Sequence, residues 1–353
     1  MKLFECQNCG QPLYFENTVC ESCGHRLGYI PDMNTVSALE PEGDQWRALA
    51  SSGQLYRFCQ NAELDACNWL IPSDHTETHC AACRHNRTIP NLADAENMAR
   101  YRKLEMAKHH LFYTMIKLKL PLKNRIDDPQ GGLAFDFLSD QVDANGNVTT
   151  VLTGHDEGLI TINVAEADDA EREKRRTQMG EPYRTLLGHF RHEIGHYFWD
   201  KIVRDCGEEA LEKCRAVFGD EREDYGQALQ RHYNTGAPPD WQNNFVSTYA
   251  TAHPWEDFAE TWAHYLHIVD TLETARSFGI KVRPRIKLGH ELEAQVDFDP
   301  HKANNIDELI ENWLPLTYAV NALNRSMGQP DFYPFILSPA VIAKLGYMHE
   351  LTH

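Results

Sequence analysis

Several things are missing from this 353-residue chain, and each absence removes a class of protein. No stretch approaches the roughly 20 apolar residues of a membrane span. The opening Met1-Lys2-Leu3-Phe4-Glu5-Cys6 has no apolar run before a cleavage site, so a cytoplasmic protein without an export signal is expected. Positive charge is scarce: 34 Lys and Arg face 52 Asp and Glu, a net charge of −18. That balance opposes a sequence-independent grip on phosphates. The one basic cluster, Arg172-Glu173-Lys174-Arg175-Arg176, is interleaved with acids on an expected helix and reads as a solvated face. Neither nucleic acid nor membrane is therefore expected as a partner. No repeat of 20 to 50 residues points to a solenoid, and the hydrophobic content of 42% suits one sizeable domain with small modules.

Cysteine, by contrast, is abundant. Eight of the ten fall in two clusters with metal-site spacing, and without an export signal they read as thiolate ligands rather than disulfides. Cys6-x2-Cys9 and Cys20-x2-Cys23, each followed by glycine (Gly10, Gly24), define a zinc ribbon over 1–27. A Cys-x-x-Cys turn brings two sulfurs to one ion, and the glycine permits the positive φ that aims backbone N–H groups at them. Iron uses similar knuckles, so the ribbon metal is open between zinc and iron. Residues 28–54, including the loop-like stretch from Ser37 to Asp44, read as a linker. Cys59, Cys67, Cys80 and Cys83 suggest a second closed site within 55–92, where His75, His79 or His85 could replace one sulfur. Both sites are expected to be structural. Cys206 and Cys214 read as free thiols, and the ribbon is a candidate docking module for a protein partner.

Residues 93–353 read as the main domain. Asp94 caps a long helix with apolar residues from Met98 to Leu118 at helical spacing, stopped by Pro121. Period-two strands follow at Leu133–Phe137, Thr149–Thr153 and Leu159–Val164, the first two joined through Asn145-Gly146. Helices are expected from Tyr183 to Val203 and near 207–217, 221–233, 241–251, 254–270, 305–324 and 339–351. The fold class is α+β: an α-rich domain with a small mixed sheet, preceded by two small zinc modules of four cysteines each.

The chemistry is concentrated in His192-Glu193-Ile194-Gly195-His196. Residues four apart share a helix face, so His192 and His196 can offer two ring nitrogens to one zinc, with Glu193 beside the metal-bound water as proton acceptor. The pattern recurs at His349-Glu350-Leu351-Thr352-His353, but that copy ends the sequence with nothing after it to give a third ligand, so the internal copy is taken as functional. A catalytic zinc needs a third protein ligand. Glu256 and Glu260 lie i and i+4 on a helix opened by Pro254 whose apolar face carries Trp255, Phe258, Trp262 and Leu266. Two carboxylates on a buried helix need partners, which one on the metal and one on an imidazole would supply. His189, His253, His264 and His267 compete as ligands in a triple-His variant. The third His of metzincins is absent, since Trp199 and Ile202 hold the positions of their Gly and His.

The order His-Glu-x-x-His, then Glu256-Asp257-Phe258-Ala259-Glu260, resembles gluzincins with a lethal-factor-like Glu-x-Phe-Ala-Glu signature. By that resemblance Glu256 is the third zinc ligand, Glu260 stands behind a ligand, and Tyr249, seven residues before Glu256, stabilises the transition state. The chain also resembles a bacterial family of zinc-binding metallopeptidases with an N-terminal zinc ribbon, through Cys67-Asn68-Trp69-Leu70 and Arg87-Thr88-Ile89-Pro90-Asn91-Leu92. The resemblance implies a zincin-like zinc peptidase acting on peptides or proteins, with one catalytic and two structural zinc ions. A catalytically silent scaffold that binds proteins through its ribbon is the other reading. By analogy with zincins, the strand from Leu159 to Val164 is expected to pair with an extended substrate along its edge.

Overall fold

The computed structural model describes residues 2–142, 145–179, 181–286 and 292–353. The chain forms two compact units, Met1–Met179 and Gly180–His353, and its class is mixed α+β, with long helices and small sheets. No helix among the described residues is long and apolar enough to cross a membrane.

In the first unit, the hairpin β1 (Phe4–Glu5) and β2 (Pro12–Leu13) opens the ribbon. Five antiparallel strands follow in sequence order: β3 (Arg26–Ile30), β4 (Thr35–Glu42), β5 (Gln45–Ala48), β6 (Leu55–Phe58) and β7 (Leu70–Pro72). A bridge between Tyr29 and Trp69 brings the first and last strands together. Residues 28–54, expected as a linker, therefore form much of a sheet, and the loop-like stretch from Ser37 runs along β4. The signal was hidden because β4 is a central strand: Val36, Ser37, Ala38 and Leu39 are all buried, so period-two alternation is lost. The ribbon docks on this strand through Gln7, whose Oε1 accepts from Ala38 N at 2.7 Å while its Nε2 donates to Val36 O at 3.1 Å.

Beyond the short strand β8 (Asn86–Thr88) runs helix α1 (Ala95–Lys117), capped by Asp94 as expected. Phe15 meets Tyr29, Trp69 and Tyr113 edge to face, and Tyr29 and Trp69 lie tilted against each other, tying ribbon, sheet and α1 into one core. The remaining strands are β9 (Ala134–Leu138), β10 (Gln141–Val142), β11 (Val148–Thr149), β12 (Gly154–Asp156) and β13 (Leu159–Asn163), before α2 (Asp169–Met179). Two strand expectations change. Residues 150–153 are not a strand, and β9 pairs in parallel with β13 and β8 rather than with the Thr149 segment, which meets β10 instead. Strand β13 is not an edge either, because β12 covers it over Leu159 to Thr161.

The second unit is helical. Its helices are α3 (Leu186–Ile202), α4 (Glu208–Phe218), α5 (Tyr225–Thr235), α6 (Pro254–Ser277), α7 (Ile306–Ser326) and α8 (Pro339–Leu351), with a short pair β14 (Lys281–Val282) and β15 (Ala294–Gln295). Phe190, Ile194, Phe198, Phe258 and Trp262 are buried where α3 meets α6, and the Phe198 and Trp262 rings stack at 5.0 Å. The helix expected over 241–251 is reduced to single turns, Trp241–Asn243 and Tyr249–Thr251. Ser247 accepts from Ala250 N, so its side chain supports a local turn in place of a continuing helix. The terminal His-Glu-x-x-His copy is spent on packing: His349 Nδ1 meets Tyr265 OH at 3.0 Å and His353 Nε2 meets His301 O at 2.9 Å.

Lys108 on α1 is fully buried against Glu105 at 2.8 Å. Burial alone would discharge both, but each holds the other charged, with Lys108 raised and Glu105 lowered. Replacing Lys108 by Met leaves a carboxylate buried without its counter-charge, and urea denaturation should show a loss of roughly 3–5 kcal/mol. Unchanged stability would contradict this account of the α1 core.

Candidate active site

The site begins with a close contact between two helices. Thr185 caps α3 by accepting from Gly188 N, and His253 caps α6 by accepting from Trp255 N at 3.1 Å. At the crossing, a Cβ on Gly195 would sit 2.9 Å from Ala259 Cα and 3.2 Å from Trp262 Cβ. Only glycine allows that approach, and Ala259 presents the smallest side chain opposite it. The consequence is that Glu256, one turn before Ala259, reaches across to the imidazoles that flank Gly195.

His192 Nε2 lies 3.2 Å from His196 Nε2 and 3.0 Å from Glu256 Oε2, and the last distance of the triangle, His196 Nε2 to Glu256 Oε2, is 3.6 Å. Three atoms each about 2.0–2.2 Å from a tetrahedral zinc stand about 3.4 Å apart, so the triangle fits that ion. Glu256 Oε2 is buried and accepts no hydrogen bond among the described residues, whereas Oε1 accepts from the Tyr225 hydroxyl at 2.7 Å. A buried carboxylate oxygen without a donor fits a cation's place. Behind the triangle, Glu260 Oε1 accepts from His192 Nδ1 at 2.7 Å and Oε2 accepts from Ser247 Oγ at 2.7 Å. Fixing the proton on Nδ1 leaves the Nε2 lone pair facing the triangle.

The electrostatics follow from burial. Desolvation alone would depress His192, but Glu256 and Glu260 carry it well above its ordinary value. Glu256 would rise with burial, yet His196 and His192 hold it well below the usual carboxylate range. Burial raises Glu193, an effect its two histidine neighbours offset only in part. Tyr249 stands with its ring 5.9 Å from that of His192, and burial keeps its phenol protonated.

The structure thus brings together His192, Glu193, His196, Tyr249, Glu256 and Glu260. Three of the four competing histidines are engaged elsewhere: His253 Nε2 donates to Glu223 O, His264 meets Tyr333, and His267 meets Arg191; His189 is not among the residues gathered at the triangle. Tyr225 and Ser247 were missed. Tyr225 opens a separate helix more than thirty residues from its partner Glu256, and no spacing rule links them.

Both cysteine clusters close. Cys6 and Cys23 sulfurs lie 3.7 Å apart, as do those of Cys9 and Cys20, close to the edge of a tetrahedron with metal–sulfur distances of about 2.3 Å. Gly10 and Gly24 take φ of +75° and +76°, as the knuckles require. Cys59, Cys67, Cys80 and Cys83 gather likewise, all buried, and receive backbone N–H groups from Trp69, Cys80 and Cys83. None of His75, His79 and His85 joins them. Instead His109 on α1 brings Nε2 to 3.3 Å from Cys67 Sγ and 3.5 Å from Cys83 Sγ. Cys206 and Cys214 remain free thiols.

Two cysteine-rich metal modules and a His-His-Glu triangle on crossed helices define a zinc-binding protein of metallopeptidase type. Residues 97–351 match the family model described as "Putative zinc-binding metallo-peptidase", and residues 3–94 match a zinc-ribbon domain. The chain belongs to that metallopeptidase family. It is similar to uncharacterized proteins of Mycobacterium bovis and of two Mycobacterium tuberculosis strains, each 42% identical over 352 residues, covering 100% of this chain and 95% of theirs. No solved structure matches.

Gly195→Ala places a methyl group against the α6 backbone. Thermal unfolding should show a cost of about 1–3 kcal/mol, with zinc lost from the triangle more readily than from the cysteine sites. Wild-type stability and zinc retention would contradict the close-approach argument.

Proposed function

We propose that the protein is a gluzincin-type zinc peptidase that hydrolyses an amide bond of a peptide or protein, working in the cytoplasm. The observation that supports this most is the undonated, buried Oε2 of Glu256 facing two Nε2 atoms, one of whose rings is oriented by Glu260. His192, His196 and Glu256 would hold the zinc. When bound it supplies a Lewis acid that polarises a carbonyl oxygen and lowers the pKa of a coordinated water.

The chain's own residues account for the rest. Glu193, with proton affinity raised by burial, takes a proton as water oxygen bonds to the carbonyl carbon. It then returns that proton to the amide nitrogen as the C–N bond breaks, giving a carboxylic acid and an amine. Tyr249, kept neutral, has a hydroxyl to donate to the oxygen that becomes negative. Tyr225 and Ser247 act as positioning residues through Glu256 and Glu260. The two cysteine sites, with four ligands each, leave no position for substrate and serve the fold.

The test is cleavage of a peptide library by the purified protein. Glu193→Gln should keep its zinc and lose at least about a hundredfold in rate, while Tyr249→Phe should lower kcat by roughly a hundredfold or more with little change in KM. A Glu193→Gln variant as fast as wild type would sink the mechanism. Metal analysis should find about three zinc ions per chain, with one leaving first on addition of a chelator. Two ions, both resistant, would contradict the catalytic site.

A further inference from the structure

Helix α1 buries Glu105, Lys108 and His109 among Tyr101, Leu104 and Phe112. Glu105 and His109 are one turn apart and share a face, and that face meets the second cysteine site. His109 Nε2 lies 3.3 Å from Cys67 Sγ and 3.5 Å from Cys83 Sγ, while Cys83 Sγ lies 3.3 Å from Glu105 Oε2. One donor atom each from Cys83, Glu105 and His109 falls within 4.8 Å of the other two, and all three residues are buried. A sulfur about 2.3 Å from a tetrahedral zinc and a nitrogen or oxygen about 2.0–2.2 Å from it stand about 3.5 Å apart. Both edges at Cys83 match that spacing. The three side chains therefore form a further donor set that shares Cys83 with the four-cysteine site.

Charge gives an independent reason for a cation there. Glu105 Oε1 accepts from Lys108 Nζ at 2.8 Å and from Asn86 Nδ2 at 2.7 Å. Its other oxygen, Oε2, faces the sulfur. As a zinc-bound thiolate Cys83 has no proton to offer, so two anions meet at 3.3 Å in a buried space. An Nε2–H on His109 would serve a sulfur and leave that oxygen without a counter-charge. Four thiolates and Glu105 outweigh one zinc ion and Lys108 by two charges, and a second divalent ion makes the buried cluster neutral. A donor set of thiolate, imidazole and carboxylate suits zinc.

We propose that a second zinc ion sits beside the first in this module, held by Cys83, Glu105 and His109, with the Cys83 thiolate bridging the two ions. The site is independent of the peptidase reading. It ties α1, within the residues that match the metallopeptidase family, to cysteines within the residues that match a zinc ribbon. With three protein ligands, one of them shared, it holds its ion less tightly than the other sites and fills last, under excess zinc.

The test uses the full chain carrying three zinc ions, one in each four-cysteine site and one at the His192 triangle. Titrated with zinc against a chromophoric chelator, wild type should take up one further ion, whereas Glu105→Gln and His109→Phe should take up none. His109→Phe keeps a ring against Trp69, which the imidazole meets at 5.0 Å. Replacing zinc by cadmium-113 gives a readout on wild type alone, because two ions on one sulfur split each other's NMR signals. One coupled pair among the resonances is expected, and ions scattered on surface carboxylates would not produce it. Absence of a coupled pair in fully loaded wild type, or equal further uptake by all three proteins, would overturn the bridged pair and leave His109 a hydrogen-bond donor to the thiolates.

Discussion

The approach of α3 to α6 at Gly195 and Ala259 governs what this site can be. With no side chain on Gly195 and a single methyl opposite, the two backbones come together, and three donor atoms from residues sixty positions apart form one small triangle. A larger group at either position would separate the helices and carry Glu256 away from the imidazoles. The stacked Phe198 and Trp262 rings and the buried Ile194 and Phe258 hold the crossing in place. Lys344 of α8 secures α6 from another side by donating to Asp257 at 2.6 Å. Packing of ordinary hydrophobic type thus produces the chemical geometry.

Once the helices meet, charge has to be balanced within a buried space. Glu193, Glu256 and Glu260 come together around His192 and His196. Two of the three donors are oriented from behind: His192 by Glu260 and Ser247, and Glu256 by Tyr225. These contacts remove rotational freedom that a bound metal would otherwise have to freeze out. The same principle recurs in the first unit, where backbone N–H groups and His109 surround the second set of thiols.

Local patterns were readable in the sequence, and long-range partnerships were not. The ribbon knuckles, the Asp94 cap, α3 and the Glu256 helix all follow from short-range rules of spacing, capping and glycine placement, and the structure shows each of them. The sheet within 28–54 was invisible because a central strand such as β4 buries consecutive residues and shows no alternation. The Thr149 to Thr153 strand failed for the opposite reason: β-branched residues suggested extension, but β13 and β8 take the two pairing positions beside β9. Tyr225, Ser247 and His109 each act on a partner across the fold, through contacts that only tertiary structure creates.

The central claim is that one zinc ion sits among His192, His196 and Glu256. X-ray diffraction data collected on both sides of the zinc absorption edge test it most directly. The account predicts an anomalous peak about 2.0–2.2 Å from Nε2 of both histidines and from Glu256 Oε2, separate from the peaks of the cysteine sites. A zinc-replete crystal with no peak there, or with Glu256 turned away from the ion, would contradict it.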